Sequence, residues 1–159
     1  MVEDATFEEG GEAPLRLRAE DVDDLSVIAS LTQDAVFPAS EMTWQKKQRR
    51  FAILLNRFRW EDRTAAERRG RAYERVQSVL VIDDVLKVQS QGVERGDQDT
   101  IMSLLSISFE PGEDGTGRVI LTLAGDGAIA LDVEVLDVTL KDVTRPYVAP
   151  SRKVPDHPE

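Results

Sequence analysis

The stretch EMTWQKKQRRFAILLNRF, residues 41 to 58, contains two apolar segments separated by a basic turn. Apolar residues alternate with polar ones through Met42 and Trp44, and the large apolar residues Phe51, Ile53 and Leu55 occupy every second position after the basic turn, which is the two-residue period of β-strands. Folding the chain back within the basic turn places Trp44 opposite Phe51 and Met42 opposite Ile53. Because large apolar pairs on one face stabilise antiparallel strands, this stretch predicts a β-hairpin.

Strand patterns recur on both sides of this hairpin. They are LRLR at 15–18, YERVQSVLVIDDVLKVQSQGV at 73–93, TIMSLLSISF at 100–109, RVILTL at 118–123 and AIALDVEVLDVTL at 128–140. The glycine-rich segments PGEDGTG and AGDGA between them are typical of turns. Strands at this spacing with glycine turns favour an antiparallel sheet that curls into a barrel or a sandwich.

Two of these strand patterns change phase or are interrupted, and a third predicts one continuous apolar face. Asp83 and Asp84 are poor strand residues and predict a break into two strands or a bend. TIMSLLSISF predicts one apolar face, made of Ile101, Ser103, Leu105, Ile107 and Phe109. In the last segment one face is Ile129, Leu131, Val133 and Val135, after which the apolar set moves to Leu136, Val138 and Leu140. A shift of one residue indicates a β-bulge or a break between strands.

One helix is predicted after the first strand. Val22, Leu25, Ile28, Ala29 and Thr32 recur at spacings of three and four residues. Acidic residues cluster at its start, where the helix dipole favours negative charge, and they are Glu20, Asp21, Asp23 and Asp24. We expect the helix to end near Asp34.

Composition divides the 159 residues into three parts. Residues 1–13 carry five acids and no base and predict a disordered acidic leader, here called the leader. Residues 14–147 predict a single domain, and the proline-rich residues 148–159 an extended tail, with Tyr147 docked on the domain. The predicted class is α+β: a mainly antiparallel, strongly curved sheet, barrel- or sandwich-like, of about seven or eight strands with one N-terminal helix.

Composition also excludes several kinds of chemistry. The chain has no cysteine, so thiol catalysis is excluded. Its only histidine, His157, lies in the proline-rich tail, where the favoured interpretation is a solvated residue and the alternative a catalytic one. With His157 set aside, no histidine remains for a Ser-His-Asp triad or an imidazole zinc site within one chain. The glycine-rich residues 112–118 lack the lysine and the helix of a phosphate loop. Asp97 and Asp99 lack the further ligands of a calcium loop. We therefore expect no cofactor, no metal site and no catalytic residue, although a mechanism using only carboxylates or arginines escapes this argument.

Neither a signal peptide nor a membrane-spanning segment is recognisable, so we expect a cytoplasmic protein without membrane contact.

Two polar residues are candidates for lining a ligand pocket in the curved sheet. Asn56 is the only asparagine, and Asp83 interrupts a strand pattern. For Asn56 the alternative, and the favoured interpretation, is a β-bulge, because the apolar positions change phase there.

Basic residues concentrate between Lys46 and Arg75, where eleven bases and four acids give a net charge of +7 in a chain of net charge −10. The candidate residues for binding a partner or an anion are Lys46, Lys47, Arg49, Arg50, Arg57 and Arg59. Arginine forks bind phosphates and carboxylates. The alternatives are a solvated rim that guards a strand edge and internal pairing with the leader or the helix start.

The segments FAILLNRFRWED, GAIALDVEVLDV and DVTRPYVAPS resemble the signature stretches of a family of small bacterial proteins catalogued as a domain of unknown function. The resemblance spans the predicted domain. It implies one stand-alone soluble bacterial domain and brings no assigned activity, cofactor or site residue.

The leading functional hypothesis is a non-enzymatic interaction module that engages an acidic protein surface, or a second copy of itself, through the basic hairpin and the loop that follows. The alternatives are a nucleic-acid-associated protein using the same surface, and a small-ligand binder or enzyme with a pocket near Asn56 and Asp83.

Overall fold

The computed structural model describes residues 14–62, 74–93 and 99–147. The helix α1 spans Val22–Leu31. The first five strands are β1 Arg16–Ala19, β2 Val36–Pro38, β3 Met42–Gln45, β4 Arg50–Phe58 and β5 Arg75–Ile82. The other five are β6 Val85–Gln91, β7 Ile101–Pro111, β8 Gly117–Leu123, β9 Gly127–Val133 and β10 Val138–Asp142. Short 3-10 turns lie at Ala39–Glu41, Trp60–Asp62 and Glu113–Gly115. The predicted leader, the tail, and the loop residues 63–73 lie outside the described residues.

The strands form one antiparallel sheet in the order β1-β10-β5-β4-β2-β7-β8-β9-β6, with β3 paired to β4. The described sheet is not closed, since β1 and β6 end it. The α+β class is confirmed, whereas the predicted number of seven or eight strands is wrong, because the described residues alone form ten. The three-residue β2 was missed because it is short and ends in Pro38, and proline weakens a strand pattern.

The hairpin of residues 41 to 58 is confirmed in its register. Met42 lies opposite Ile53 and Trp44 opposite Phe51. Phe51 and Ile53 are buried, and Trp44 packs against the core from the hairpin's outer strand. The central strands β4 and β5 then pair without a register shift from Phe51 to Phe58.

Helix α1 begins where its sequence predicts. The carboxylate of Asp21 accepts a hydrogen bond from the backbone N–H of Asp24, which caps the first turn. Leu25, Ile28 and Thr32 are buried, but Val22 is 54% exposed, so the predicted apolar face is narrower than expected. The helix packs against β1 and β7 on the core side of the sheet.

The predicted face of β7 is wrong in part. A register shift between Leu104 and Ser106 leaves Leu105 outside the ladder. The buried positions are consequently Met102 and Leu104 before the shift and Ile107 after it, whereas Ile101 and Leu105 are exposed. The bulge reverses the alternation, and nothing in the strand pattern distinguishes Leu104 from Leu105.

The two predicted breaks in the strand pattern are confirmed. Asp83 and Asp84 separate β5 from β6, and Asp84 has a φ of 59°, which ends the strand. Residues 134–137 separate β9 from β10. Val135 lies in this connection and is 47% exposed, so its predicted place on the buried face of β9 is wrong.

The strands β1, β10, β5 and β4 turn one side to the core and the other side away from it. We call the second side the outer face. Apart from Arg50 and Phe58 at the two ends of β4, the residues of β4 and β5 on this face are half-buried, and none of them belongs to the core cluster. They include Ala52 and Leu54 of β4 and Val79 and Val81 of β5, which are cross-strand neighbours.

Candidate functional site

Arg57 lies inside the protein, although the sequence predicts it on a surface. On β4 the residues Phe51, Ile53 and Leu55 face the core, and Arg57 continues that alternation. Its side chain is 0% exposed. Arg57 therefore occupies a core position of the central strand, where an unpaired charge would be strongly destabilising.

Every donor group of the Arg57 side chain has an acceptor. The Nε atom donates to Ser78 Oγ at 3.1 Å and to Asp142 Oδ1 at 3.2 Å. The Nη2 atom donates to both carboxylate oxygens of Asp142, each at 3.1 Å, and to Glu61 Oε2 at 2.9 Å. The Nη1 atom donates to Glu61 Oε1 and to the backbone carbonyl of Phe58, each at 3.0 Å. These partners fill the guanidinium fork and leave no donor for a ligand.

The network joins strands that are distant in sequence. Asp142 on β10 accepts from Arg57 on β4 and from the hydroxyl of Ser78 on β5 at 2.6 Å. Its Oδ2 also accepts from the backbone N–H of Leu15 at 2.9 Å, just before β1. One carboxylate thus connects the central strands to the start of the edge strand.

The opposite charges of Arg57 and Glu61 stabilise the ionised form of each other. Burial alone would lower the pKa of Arg57, but its hydrogen bonds and its attraction to Glu61 and Asp142 raise that pKa above the ordinary value. Burial likewise acts to raise the pKa of Glu61, but the hydrogen bond and the charge of Arg57 outweigh it and lower that pKa. Both groups are therefore ionised at neutral pH.

The predicted β-bulge at Asn56 is wrong, since β4 and β5 pair in continuous register there. Phe58 produced the false phase change. It lies on the outer face opposite Arg75 and is only 5% exposed, because the Arg75 guanidinium covers its ring at 4.7 Å from the centroid. Asn56 donates instead to the hydroxyl of Tyr147 at 2.8 Å. Tyr147 also forms a β-bridge with Arg75, which confirms that it docks on the domain.

The six basic candidate residues do not form one patch. Arg59 is 7% exposed and pairs with Glu74, and Arg57 is fully buried. Arg49 and Arg50, near the hairpin tip, are partly exposed and pair with Glu134 at 2.9 Å and Asp83 at 2.8 Å. Lys46 and Lys47 are exposed at the tip and have no ion pair with a described residue. Of the other bases between Lys46 and Arg75, Arg75 covers the ring of Phe58. The remaining four, Arg63, Arg68, Arg69 and Arg71, lie outside the described residues.

The two polar pocket candidates line separate grooves, both open to solvent. Asn56 borders a groove of about 220 Å³ between β2 and β4, where these strands diverge. Asp83 borders a groove of about 400 Å³ whose other lining residues include Arg16, Arg18 and Asp137. In this groove Arg18 holds Asp137 by two hydrogen bonds, of 3.0 and 2.9 Å.

The outer face combines an apolar centre with cations at its side. Two rows of cross-strand neighbours cross it, and they are Arg16–Lys141–Val79–Leu54 and Arg18–Thr139–Val81–Ala52. Arg16 and Lys141 are exposed, lie directly opposite each other, and have no acidic partner among the described residues. Like charges in this position repel each other.

Sequence reasoning missed this face because its parts are far apart in the chain. Arg16, Lys141 and Val79 become neighbours only through the pairing of β1, β10 and β5. The apolar residues at outward positions of β4 and β5 could have indicated this face, because strands that are apolar on both sides are typical of sheets covered on both sides.

Among the described residues no group of acidic or histidine side chains is arranged to hold a metal ion. No helix in the described part of the chain is long and apolar enough to cross a membrane.

Comparison with known proteins identifies a family. Residues 15–157 match the model of a family described as "Protein of unknown function (DUF2948)". The chain belongs to this family. The match covers every described residue except Pro14, and it confirms the resemblance seen in the sequence. Comparisons with curated proteins and with solved structures gave no match.

Breaking the Arg57–Asp142 pair should destabilise the fold. We expect Arg57→Met to lower the free energy of unfolding by about 3–5 kcal/mol, because it leaves the Asp142 carboxylate buried without its cation. The double variant Arg57→Met/Asp142→Leu should recover part of that loss. Urea denaturation measures both. A single variant within about 1 kcal/mol of wild type would contradict a buried, paired Arg57.

The ion pair of Glu61 should make stability depend on acidic pH. Because the folded-state pKa of Glu61 is lowered, its contribution is complete above its ordinary value of 4.5 and is lost as pH falls through the folded-state pKa. We expect Glu61→Gln to be less stable than wild type at pH 7, with the difference shrinking below about pH 4.5. The control is Glu113→Gln in the β7–β8 turn, which should show no such change between the two pH values. An equal Glu61→Gln deficit at pH 7 and pH 3 would count against the pair.

Proposed function

We propose that this chain is a non-enzymatic interaction module whose outer face binds an acidic protein partner. The observation that carries the proposal is that the exposed cations Arg16 and Lys141 lie beside the apolar centre of the outer face, here called the apolar stripe. Two cations placed directly opposite each other without a carboxylate repel, and an anionic partner removes that repulsion.

The apolar stripe supports a protein as the partner. Ala52, Leu54, Val79 and Val81 form a contiguous apolar centre, and protein interfaces typically have such a centre surrounded by polar residues. On the other half of the sheet the outward residues are mixed: Ser108 on β7 lies opposite Ile120 on β8, and Leu105 is exposed beside Ser106. The four apolar residues of the outer face lie opposite one another without a polar residue between them.

The basic hairpin, which the sequence suggested as the binding surface, contributes less to this proposal than the outer face does. Lys46 and Lys47 lie at the turn that joins β3 to β4, at the end of β4 that begins with Arg50. Nucleic acid is the less favoured partner, because a phosphate backbone is bound by a row of cations, and here Arg18, Arg49 and Arg50 are already paired with carboxylates.

A defined acidic peptide tests the proposal. A fluorescein-labelled peptide of glutamates around a central phenylalanine should bind the full chain, and added salt should weaken binding. Removing the exposed pair with Arg16→Ser/Lys141→Ser should weaken binding about tenfold in fluorescence anisotropy, because two charge contacts of about 0.5–1 kcal/mol each are lost.

The matched control is Lys87→Ser/Arg118→Ser, which removes the same charge from the other half of the sheet. It should leave the affinity unchanged. Equal weakening in the two double variants, or no salt-sensitive binding at all, would contradict the proposal. A duplex DNA that binds more tightly than the peptide, and depends on the same pair, would replace the acidic protein with nucleic acid.

A further inference from the structure

The start of β1 fixes where the leader joins the folded domain. The backbone N–H of Leu15 donates to Asp142 Oδ2, and its carbonyl accepts from the N–H of Asp142, both at 2.9 Å. Leu15 directly precedes Arg16, and Arg16 lies opposite Lys141. The chain therefore enters the domain beside two cations that have no acidic partner among the described residues.

The leader carries the complementary charge. It contains Glu3, Asp4, Glu8, Glu9 and Glu12 and no basic residue. Glu12 is four residues from Arg16, a span of at most about 14 Å. Gly10 and Gly11 lie between Glu9 and Glu12 and readily adopt the backbone conformations of a tight reversal. The acidic residues before these glycines are thus within reach of both cations.

The leader also contains one aromatic residue. Phe7 is seven residues before Pro14. This segment spans up to about 24 Å, and β5 is two strands from β1, about 10 Å across the sheet. Phe7 can consequently reach Val79 and Leu54, which share a row with Arg16 and Lys141.

We propose that the leader occupies the outer face of its own chain, with Glu8, Glu9 and Glu12 at the Arg16–Lys141 pair. This inference rests on the proposed function, because it makes the leader an intramolecular competitor of the acidic partner. A tethered segment has an effective concentration in the millimolar range, so even weak binding blocks the face for part of the time.

Carbodiimide crosslinking of the full chain tests the contact, because this reagent joins a carboxylate to a lysine amine that touches it. We expect crosslinks from Glu8, Glu9 or Glu12 to Lys141, identified by mass spectrometry, and few to Lys87 on the other half of the sheet. Lys141→Arg keeps the charge and should abolish these crosslinks. Equal crosslinking to Lys141 and Lys87 would overturn the inference.

Mixing ¹⁵N-labelled and unlabelled chains before crosslinking distinguishes this arrangement from a second copy. Crosslinked peptides should carry a single isotope label, since leader and lysine belong to one chain. Mixed-label pairs at Lys141 would overturn the inference and assign the face to self-association.

Binding of the labelled acidic peptide tests the regulatory consequence. Glu8→Gln/Glu9→Gln/Glu12→Gln should tighten binding about three- to tenfold, because the competitor is weakened. The control variant Glu110→Gln/Glu113→Gln/Asp114→Asn changes the net charge equally at the β7–β8 turn and should leave the affinity unchanged. Equal affinities of wild type and the leader variant would overturn this inference while leaving the proposed function intact. Absence of peptide binding in all variants would overturn both.

Discussion

The ion pair between Arg57 and Asp142 is the interaction on which the arrangement of this sheet depends. It places a full charge at a core position of β4 and satisfies it with a carboxylate from β10 and a hydroxyl from β5. Removing one partner of such a pair is much more costly than replacing both, so the pair specifies which strands lie together more than it adds net stability. Asp142 also holds the start of β1, because its carboxylate accepts a hydrogen bond from the backbone N–H of Leu15.

The strand order that contains this pair also forms the outer face, which is the surface proposed for binding. It brings β10 between β1 and β5, and thereby places Arg16 and Lys141 opposite each other beside Val79. Arginines that are close in sequence are separated: Arg57 and Arg59 are buried, whereas Arg49 and Arg50 pair with acids at the other end of β4. The cations in the described part of this basic segment, residues 46–62 and 74–75, consequently do not form one patch.

Local patterns predicted the local structure well. The Trp44–Phe51 register, the Asp21 cap and the break at Asp83 follow from periodicity and turn chemistry within a few residues. The errors arose where a distant residue decides. Arg57 was predicted on the surface because its partner Asp142 is 85 residues away in the sequence. The phase change assigned to Asn56 came from Phe58, which is buried on the outer face because the Arg75 guanidinium covers its ring. The spacing of residues in the sequence does not identify such distant partners. For the same reason it did not predict the outer face, whose residues come from strands that are far apart in the chain.

Exchange of arginine side-chain protons, measured by ¹⁵N NMR on the Nε–H groups, tests the central role of Arg57 most directly. The Nε–H of Arg57 donates to Ser78 and Asp142 in the interior, whereas Arg16 is exposed and has no described partner. A buried, bonded proton exchanges with water only when the structure opens. The account predicts a sharp, slowly exchanging Arg57 signal at neutral pH and fast exchange at Arg16. Arg57 exchanging as fast as Arg16 would contradict it.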